Sequence, residues 1–441
     1  MSPFADIRTV YTNSEQRNID YLNAVYSDYD YLFEIIDDLF KTNISKESVF
    51  DKKVFLKPNW VRHNVNVTDE LCLHTNHKFL LAALEVVLKR KPKSVIIGDA
   101  PIEGCKWHKM LQEGFMGDIE ALSIKYTVPI RIKDFRRRTF DPNSNTLNEG
   151  RNPFTDFALF DLGAKSFLEP ITNNEKNLFR VMDYDFGTLS ETHKKGIHKY
   201  IITNELFESD LVITIPKMKT HQKTGLTNAM KILVGLVGDK DYLPHHRKGG
   251  TKDGGDCYPG WNIFRKIAES ILDKANRNIG KPNYNYWRNL AYTFWRYSLP
   301  KKVHNIGAGW YGNDTTWRMV FDIYHIAVFG KSDGTLATNP QREIYSLCDG
   351  IIGGQGNGPV HPDPLALGIV SLTNNAPLMD ISLGYLFGLE INKIPILREA
   401  QRVINEATYS VLFNKVPITL DKLTDYSVKA AMPPGWRDYN K

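Results

Sequence analysis

The densest run of chemically capable side chains is Ile215 to Gly238, IPKMKTHQKTGLTNAMKILVGLVG. It sets Lys217, Lys219, His221, Lys223 and Lys231 close together in the chain, with Pro216 and Gly225 breaking regular structure. The pattern predicts a helix capped by Thr224 or Thr227, its apolar face including Met230, Leu233, Val234 and Val237. A strand, a loop of lysines and a histidine, and then a helix N-terminus would bind phosphate or carboxylate through loose N–H groups and positive charge. A lysine desolvated beside other cations becomes a nucleophile or base. The competing reading is a solvated basic loop ahead of a core helix. The segment is no Walker loop, because GxxxxGK[ST] is absent.

A second candidate is DGIIGGQGNGP, Asp349 to Pro359. Its glycines let backbone approach a ligand closely. Gly354, Gln355 and Asn357 are candidate substrate contacts, and Asp349 could hold a polyol or a divalent ion, as could Asp380. A structural turn is the alternative, and the GxGxxG spacing of a dinucleotide site fails. Asp99 in Gly98-Asp99-Ala100-Pro101 is a carboxylate suited to general-base or metal duty, or else a turn-forming Asp. Lys57 and Asn59 follow another apolar run. His245 and His246 follow Pro244, and of such neighbours one at most serves a site. His74 and His77, spaced i, i+3, would share a helix face, with no HExxH and no third metal ligand evident.

The elements that must position these groups are short apolar runs read as buried parallel strands. They are Val54–Leu56, Ser94–Ile97, Leu211–Ile215 and Gly368–Leu372, with a helix over Lys78–Leu88 making a β-α-β unit between the first two. Ligand sites in such sheets lie at strand carboxyl ends, where Lys57, Asp99 and Lys217 follow. The expected fold is therefore α/β, a mostly parallel sheet flanked by helices in a single unit over residues 1–441. Two cap-like insertions are expected, at 134–196 and at 240–313, the second aromatic, basic and helical. Tyr284 to Tyr297, YNYWRNLAYTFWRY, with Lys301 and Lys302 beyond it, reads as a core or dimer helix or as an interfacial helix on an anionic membrane. Arg136-Arg137-Arg138 is a solvated face rather than a nucleic-acid site.

Composition narrows the classes. The chain has 441 residues, 42% hydrophobic and 24% charged, with a net charge of +6. That is ordinary globular usage, not disorder or a fibre. The mild basic excess suits an anionic small molecule at least as well as nucleic acid, which calls for a denser basic stripe. The start is mixed polar without an apolar h-region, and no apolar run is long enough for a membrane span. Four scattered cysteines without a CxxC argue against an iron–sulfur cluster and for a reducing cytoplasm.

Several motifs in order resemble the domain of unknown function 362 family: Lys57-Pro58-Asn59, GDAP, the KMKTH segment, Gly312-Asn313-Asp314 with Trp317, Arg318 and Asp322, and DGIIGGQGNGP followed by Asp380. The resemblance implies the fold and these site candidates more than a reaction. Many members carry a ferredoxin-like cluster module, whose cysteines this sequence lacks. The KMKTH stretch is also similar to the lysine/histidine segment of lactate-racemase-like proteins, whose nickel-pincer cofactor is not carried over. The expectation is a cytoplasmic enzyme, and a homo-oligomer, acting on an anionic metabolite: a phosphorylated or nucleotide-linked sugar or a hydroxy acid. Isomerisation, epimerisation or group transfer would use His221, Lys219 and Asp99 for catalysis, and Lys57, Asn59, Lys217, Lys231 and His245 for binding. The alternative is a non-catalytic ligand-binding or assembly protein docking a partner or membrane surface through the 284–302 helix.

Overall fold

The structure is a computed structural model and describes residues 2–141, 144–176, 178–182, 184–298 and 307–440. Lys301 and Lys302 of the 284–302 segment lie outside the described residues. Among the described residues an 11-stranded sheet organises the chain. Its strands are β1 (Phe4–Thr9), β2 (Lys53–Pro58), β3 (Ser94–Asp99), β4 (Ile130–Asp134), β5 (Leu211–Ile215), β6 (Lys217–His221), β7 (Gly225–Thr227), β8 (Ile344–Asn357), β9 (His361–Thr373), β10 (Ser410–Phe413) and β11 (Val416–Pro417). They run in the order β11-β10-β1-β9-β8-β5-β2-β3-β4, with β6 pairing β8 and β7.

The block from β8 through β5, β2 and β3 to β4 is parallel. Helices cover both faces, so the α/β class follows. Leu56, Ile97 and Ile213 pack in one core with Leu32 of α2 (Tyr29–Asn43) and with α4 (His77–Leu88), which follows the short α3 (Asp69–Cys72). Phe55, Ile96 and Val212 point the other way, into a core with Val320 of α7 (Thr316–Phe329) and Leu378 of α8 (Ala376–Leu386). A strand buried on both faces needs apolar residues throughout, which is why these runs stood out in the sequence. Asn76 caps α4 by accepting from the backbone N–H groups of Lys78 and Phe79.

Two sequence expectations and one alternative reading are corrected. The run Gly368–Leu372 forms part of β9, which is antiparallel to both β1 and β8. The glycine-rich segment from Asp349 to Asn357 is strand β8, not a turn. Its glycines serve close packing: a Cβ at Gly350 would meet Met218 Sδ at 2.5 Å, and one at Gly354 would meet Lys219 Cβ at 2.7 Å. The helix expected after Thr224 or Thr227 is instead the β6–β7 hairpin and a 3-10 turn at Lys231–Leu236, with no side-chain cap. Thr224 Oγ1 donates to the Leu226 carbonyl inside the hairpin, and Gly225 makes its turn at φ 84°.

Segment 134–196 contributes Ser166 and Phe167, which meet α7 at Asp322. That buried carboxylate accepts from Ser166 Oγ (2.5 Å), the Phe167 N–H (2.8 Å) and Tyr200 Oη (2.8 Å). Asp322→Ala would strand three buried donors and is expected to cost about 3 kcal/mol or more in urea unfolding. In segment 240–313, α5 (Ile263–Asn276) packs against α6 (Tyr284–Tyr297). Tyr284, Ala291 and Trp295 of α6 are buried, whereas Tyr286 and Tyr297 are exposed. No helix among the described residues is long and apolar enough to cross a membrane.

Candidate functional site

A cavity of about 340 Å³ opens at the carboxyl ends of β2, β3 and β6, the edge at which parallel sheets carry ligands. Alternation along β6 puts Lys217, Lys219 and His221 on one face and Met218 on the other. Of the expected site residues, Asn59, Asp99, Lys219, His221, Lys231 and His245 line the cavity together. Trp60, Tyr184, Lys223 and Lys240 line it as well. Asn59 Oδ1 and Trp60 Nε1 are buried there without a hydrogen-bond partner.

Asp99 is tightly held. Its Oδ1 accepts from Lys57 Nζ (2.8 Å) and the Ala100 N–H (2.8 Å), and its Oδ2 from the Trp60 N–H (2.7 Å). Burial lowers the Lys57 pKa, and the Asp99 carboxylate opposes that shift. With three donors fixed on it, Asp99 suits positioning better than proton abstraction. Lys57 stands behind it and does not line the cavity.

Three of the cavity's lysines, Lys219, Lys231 and Lys240, have no such carboxylate partner among the described residues. Lys219 Nζ donates to the carbonyls of Leu73 and Pro359. Burial, reinforced by Lys217 and Lys231, brings its pKa down to about 7. Lys240 Nζ donates to the carbonyls of Ala100 (2.7 Å) and Val237 (3.3 Å), and burial brings it to about 8. Burial and the neighbouring Lys223 and Lys240 bring Lys231 to about 7. Asp99, already tied to Lys57, is the one carboxylate among the cavity's described lining residues.

The histidines are neutral and complementary. Burial and the surrounding lysines hold His221 and His245 well below the usual imidazole pKa. His221 Nδ1 accepts from the N–H groups of Lys223 (3.1 Å) and Thr224 (3.3 Å), leaving the proton on Nε2. His245 Nδ1 lies 2.7 Å from the Leu243 carbonyl and donates to it, leaving Nε2 as an acceptor. One imidazole thus offers the cavity a donor and the other an acceptor.

The remaining candidates stand outside the cavity. Lys217 Nζ pairs with Asp349 Oδ2 at 2.9 Å, and Asp349 also accepts from Tyr26 Oη (2.5 Å) and the Asn76 N–H (3.0 Å). That carboxylate is saturated by the protein. Asp380 is buried, its pKa pushed up to about 8 by burial, and Met230 N lies 3.4 Å from its Oδ2. Asp349 and Asp380 are thus each placed against protein partners of their own. The metal-competent groups of three among the described residues are Glu70–His74–His77 and His246–Cys257–Glu269. Gln355 bonds the Pro364 carbonyl and the Ala431 N–H, Asn357 accepts from Gln222, and Gly354 lies under Lys219. Sequence reading missed Lys240, Trp60 and Tyr184. Trp60, directly after Lys57-Pro58-Asn59 at a strand end, carried a positional signal, whereas Lys240, which opens a 3-10 turn at Lys240–Tyr242, and Tyr184 carried none.

Residues 163–382 match the model of the family described as Domain of unknown function (DUF362). The matched half includes the KMKTH segment, β8 and Asp380, and leaves Lys57 and Asp99 outside. No curated protein matches the chain. A crystal structure of a protein from Thermotoga maritima is similar at 11% identity and TM-score 0.35, covering 86% of this chain and 59% of that one. The lactate racemase apoprotein from Thermoanaerobacterium thermosaccharolyticum is similar at 12% identity and TM-score 0.27, covering 72% and 48%. The chain spans less than two thirds of either protein.

Proposed function

We propose that the matched DUF362 segment builds, with the ends of β2 and β3, the active site of an enzyme that binds a small anionic metabolite and moves a proton on it. One observation carries the reading: Lys219, Lys231 and Lys240 face one cavity, and none of the three ammoniums is paired with a carboxylate among the described residues. Buried charge without a counter-charge is costly, and a phosphate or carboxylate guest relieves that cost. Lys231 and Lys240 hold the anion. Lys219, with a pKa of about 7, is part neutral at physiological pH and accepts a proton from carbon. His221 Nε2–H donates to the substrate oxygen on which charge develops. Isomerisation or epimerisation next to a carbonyl or carboxylate fits these roles, with Asp99 and Lys57 as positioning residues.

Sulfate, whose charge is constant, is a clean probe of the anion site by calorimetry. Its affinity is expected to fall by about an order of magnitude or more between pH 6 and 8.5, as Lys231 and Lys240, with pKa values of about 7 and about 8, lose their protons. Binding is expected to draw protons from the buffer. Solvent-deuterium exchange into phosphorylated sugars and hydroxy acids, followed by NMR, then tests the chemistry. Lys219→Met should abolish exchange and leave sulfate binding within a few-fold. PH-independent sulfate affinity, or exchange that survives Lys219→Met, overturns the proposal.

A further inference from the structure

A second cluster lies outside the cavity, at the turn between α3 and α4. Glu70, His74 and His77 place one ligand atom each within 4.8 Å of the others. The two histidines do not share a helix face as their spacing suggested. His74 lies in the turn and His77 opens α4, and Glu70 from α3 completes the group.

The hydrogen bonding there does not close. His74 Nδ1 is 2.9 Å from the Thr75 carbonyl, so it carries the proton and donates it. The Nε2 lone pair then faces Asn64 Oδ1 at 2.6 Å and Glu70 Oε2 at 3.5 Å, both acceptors. Turning the Asn64 amide over only relocates the conflict, because Asn64 Nδ2 now donates to Glu70 Oε2 at 3.0 Å. From the other side, His77 Nδ1 lies 3.4 Å from Glu70 Oε1. Two ring nitrogens, both carboxylate oxygens and an amide oxygen thus converge. A proton could bridge one of these pairs; a divalent cation serves all of them.

We propose that Glu70, His74 and His77, with Asn64 Oδ1, bind a first-row divalent metal ion such as zinc. Two imidazoles and a carboxylate are a common N/O set for such ions. The surroundings match a ligating histidine: His74 gives its other N–H to a backbone carbonyl, which fixes tautomer and ring orientation. The turn also supports the cavity. The Leu73 carbonyl receives Lys219 Nζ, and Thr75 Oγ1 accepts from the Asn59 N–H at 2.8 Å. An ion at the turn would hold those two cavity residues in place. The inference does not depend on the proposed reaction.

The test uses the full chain, freed of metal with a chelator, equilibrated with micromolar zinc and gel-filtered before elemental analysis. One zinc per chain and a higher melting temperature are expected, with at least tenfold weaker binding in Glu70→Gln and His77→Asn. His246→Asn should retain the ion. Cobalt substitution adds a readout on the unmutated protein: weak visible bands of N/O ligation are expected, without thiolate charge transfer. Absence of stoichiometric zinc overturns the proposal. So does a thiolate band or loss of the ion in His246→Asn, which would place it at Cys257. Unchanged binding in Glu70→Gln and His77→Asn, or an imidazolium at His74 by nitrogen NMR in zinc-treated protein, also overturns it.

Discussion

Lys231→Met is expected to raise the melting temperature of the ligand-free protein and to weaken its response to sulfate. Most substitutions of a functional lysine weaken both stability and binding, so the opposite signs are the diagnostic feature. Lys231 reaches the cavity beside Lys223 and Lys240, and like charge with burial brings its pKa to about 7. Its ammonium makes no hydrogen bond or ion pair among the described residues. Methionine keeps most of the side-chain volume against apolar neighbours such as Ile232 and Val234 and removes the charge. A gain of about 1–2 kcal/mol follows from exchanging an uncompensated charge for apolar contact. Loss of one charge-assisted contact should weaken sulfate by about tenfold or more.

The pH dependence of that gain has a definite sign. An unfolded lysine holds its proton up to about pH 10.4, whereas folded Lys231 releases it near 7. Between those values the unfolded chain binds more protons, so the wild type gains stability as pH rises. Lys231→Met lacks this term. The difference between the two proteins is therefore largest below pH 7 and shrinks towards pH 10. Comparing paired melting curves cancels the opposite contributions of Asp322 and Asp380, whose pKa values burial raises to about 7 and about 8. A variant that melts below the wild type at pH 6 would show that Lys231 is compensated within the protein.

The sequence made some of this plain and hid the rest for physical reasons. Val54–Leu56, Ser94–Ile97 and Leu211–Ile215 were legible as strands because parallel strands covered on both faces must be apolar throughout. The direction of Gly368–Leu372 was not, since an apolar run reads the same whether its neighbour is parallel or antiparallel. Glycine permits both close approach to a ligand and a turn, so Gly350 and Gly354 could not be resolved from sequence; here they admit Met218 and Lys219 from the adjoining strand. Lys219, His221 and Lys231 were legible as a site because they crowd one segment. Lys217, in the same crowd, is spent on Asp349, a partner 132 residues away that no local pattern reveals. Glu70 is four residues before His74 and could have been found by asking which carboxylate shares a turn with the histidines.

Gly235→Ala is expected to be the most damaging small substitution at the site. Gly235 lies in the 3-10 turn over Asp99, and an added Cβ would sit 1.9 Å from Asp99 Oδ1 and 2.5 Å from Lys57 Nζ. Neither atom can yield cheaply. Asp99 is fixed by Lys57, the Trp60 N–H and the Ala100 N–H, and Lys57 and Asp99 are 0% and 3% exposed. The turn cannot lift away freely either, because the Gly235 carbonyl accepts from the Ala100 N–H at 3.0 Å. Separating a buried ion pair costs about 3–5 kcal/mol, so one methyl group should lower unfolding stability by that order and displace Lys231, which opens the same turn. Sulfate binding should fall with it. Gly114 is the internal control: a Cβ there meets nothing within 4 Å, and Gly114→Ala should leave both stability and binding near the wild type. If Gly235→Ala unfolds no more readily than Gly114→Ala, the Lys57–Asp99 pair does not organise the strand ends, and the cavity's geometry must be held by something else.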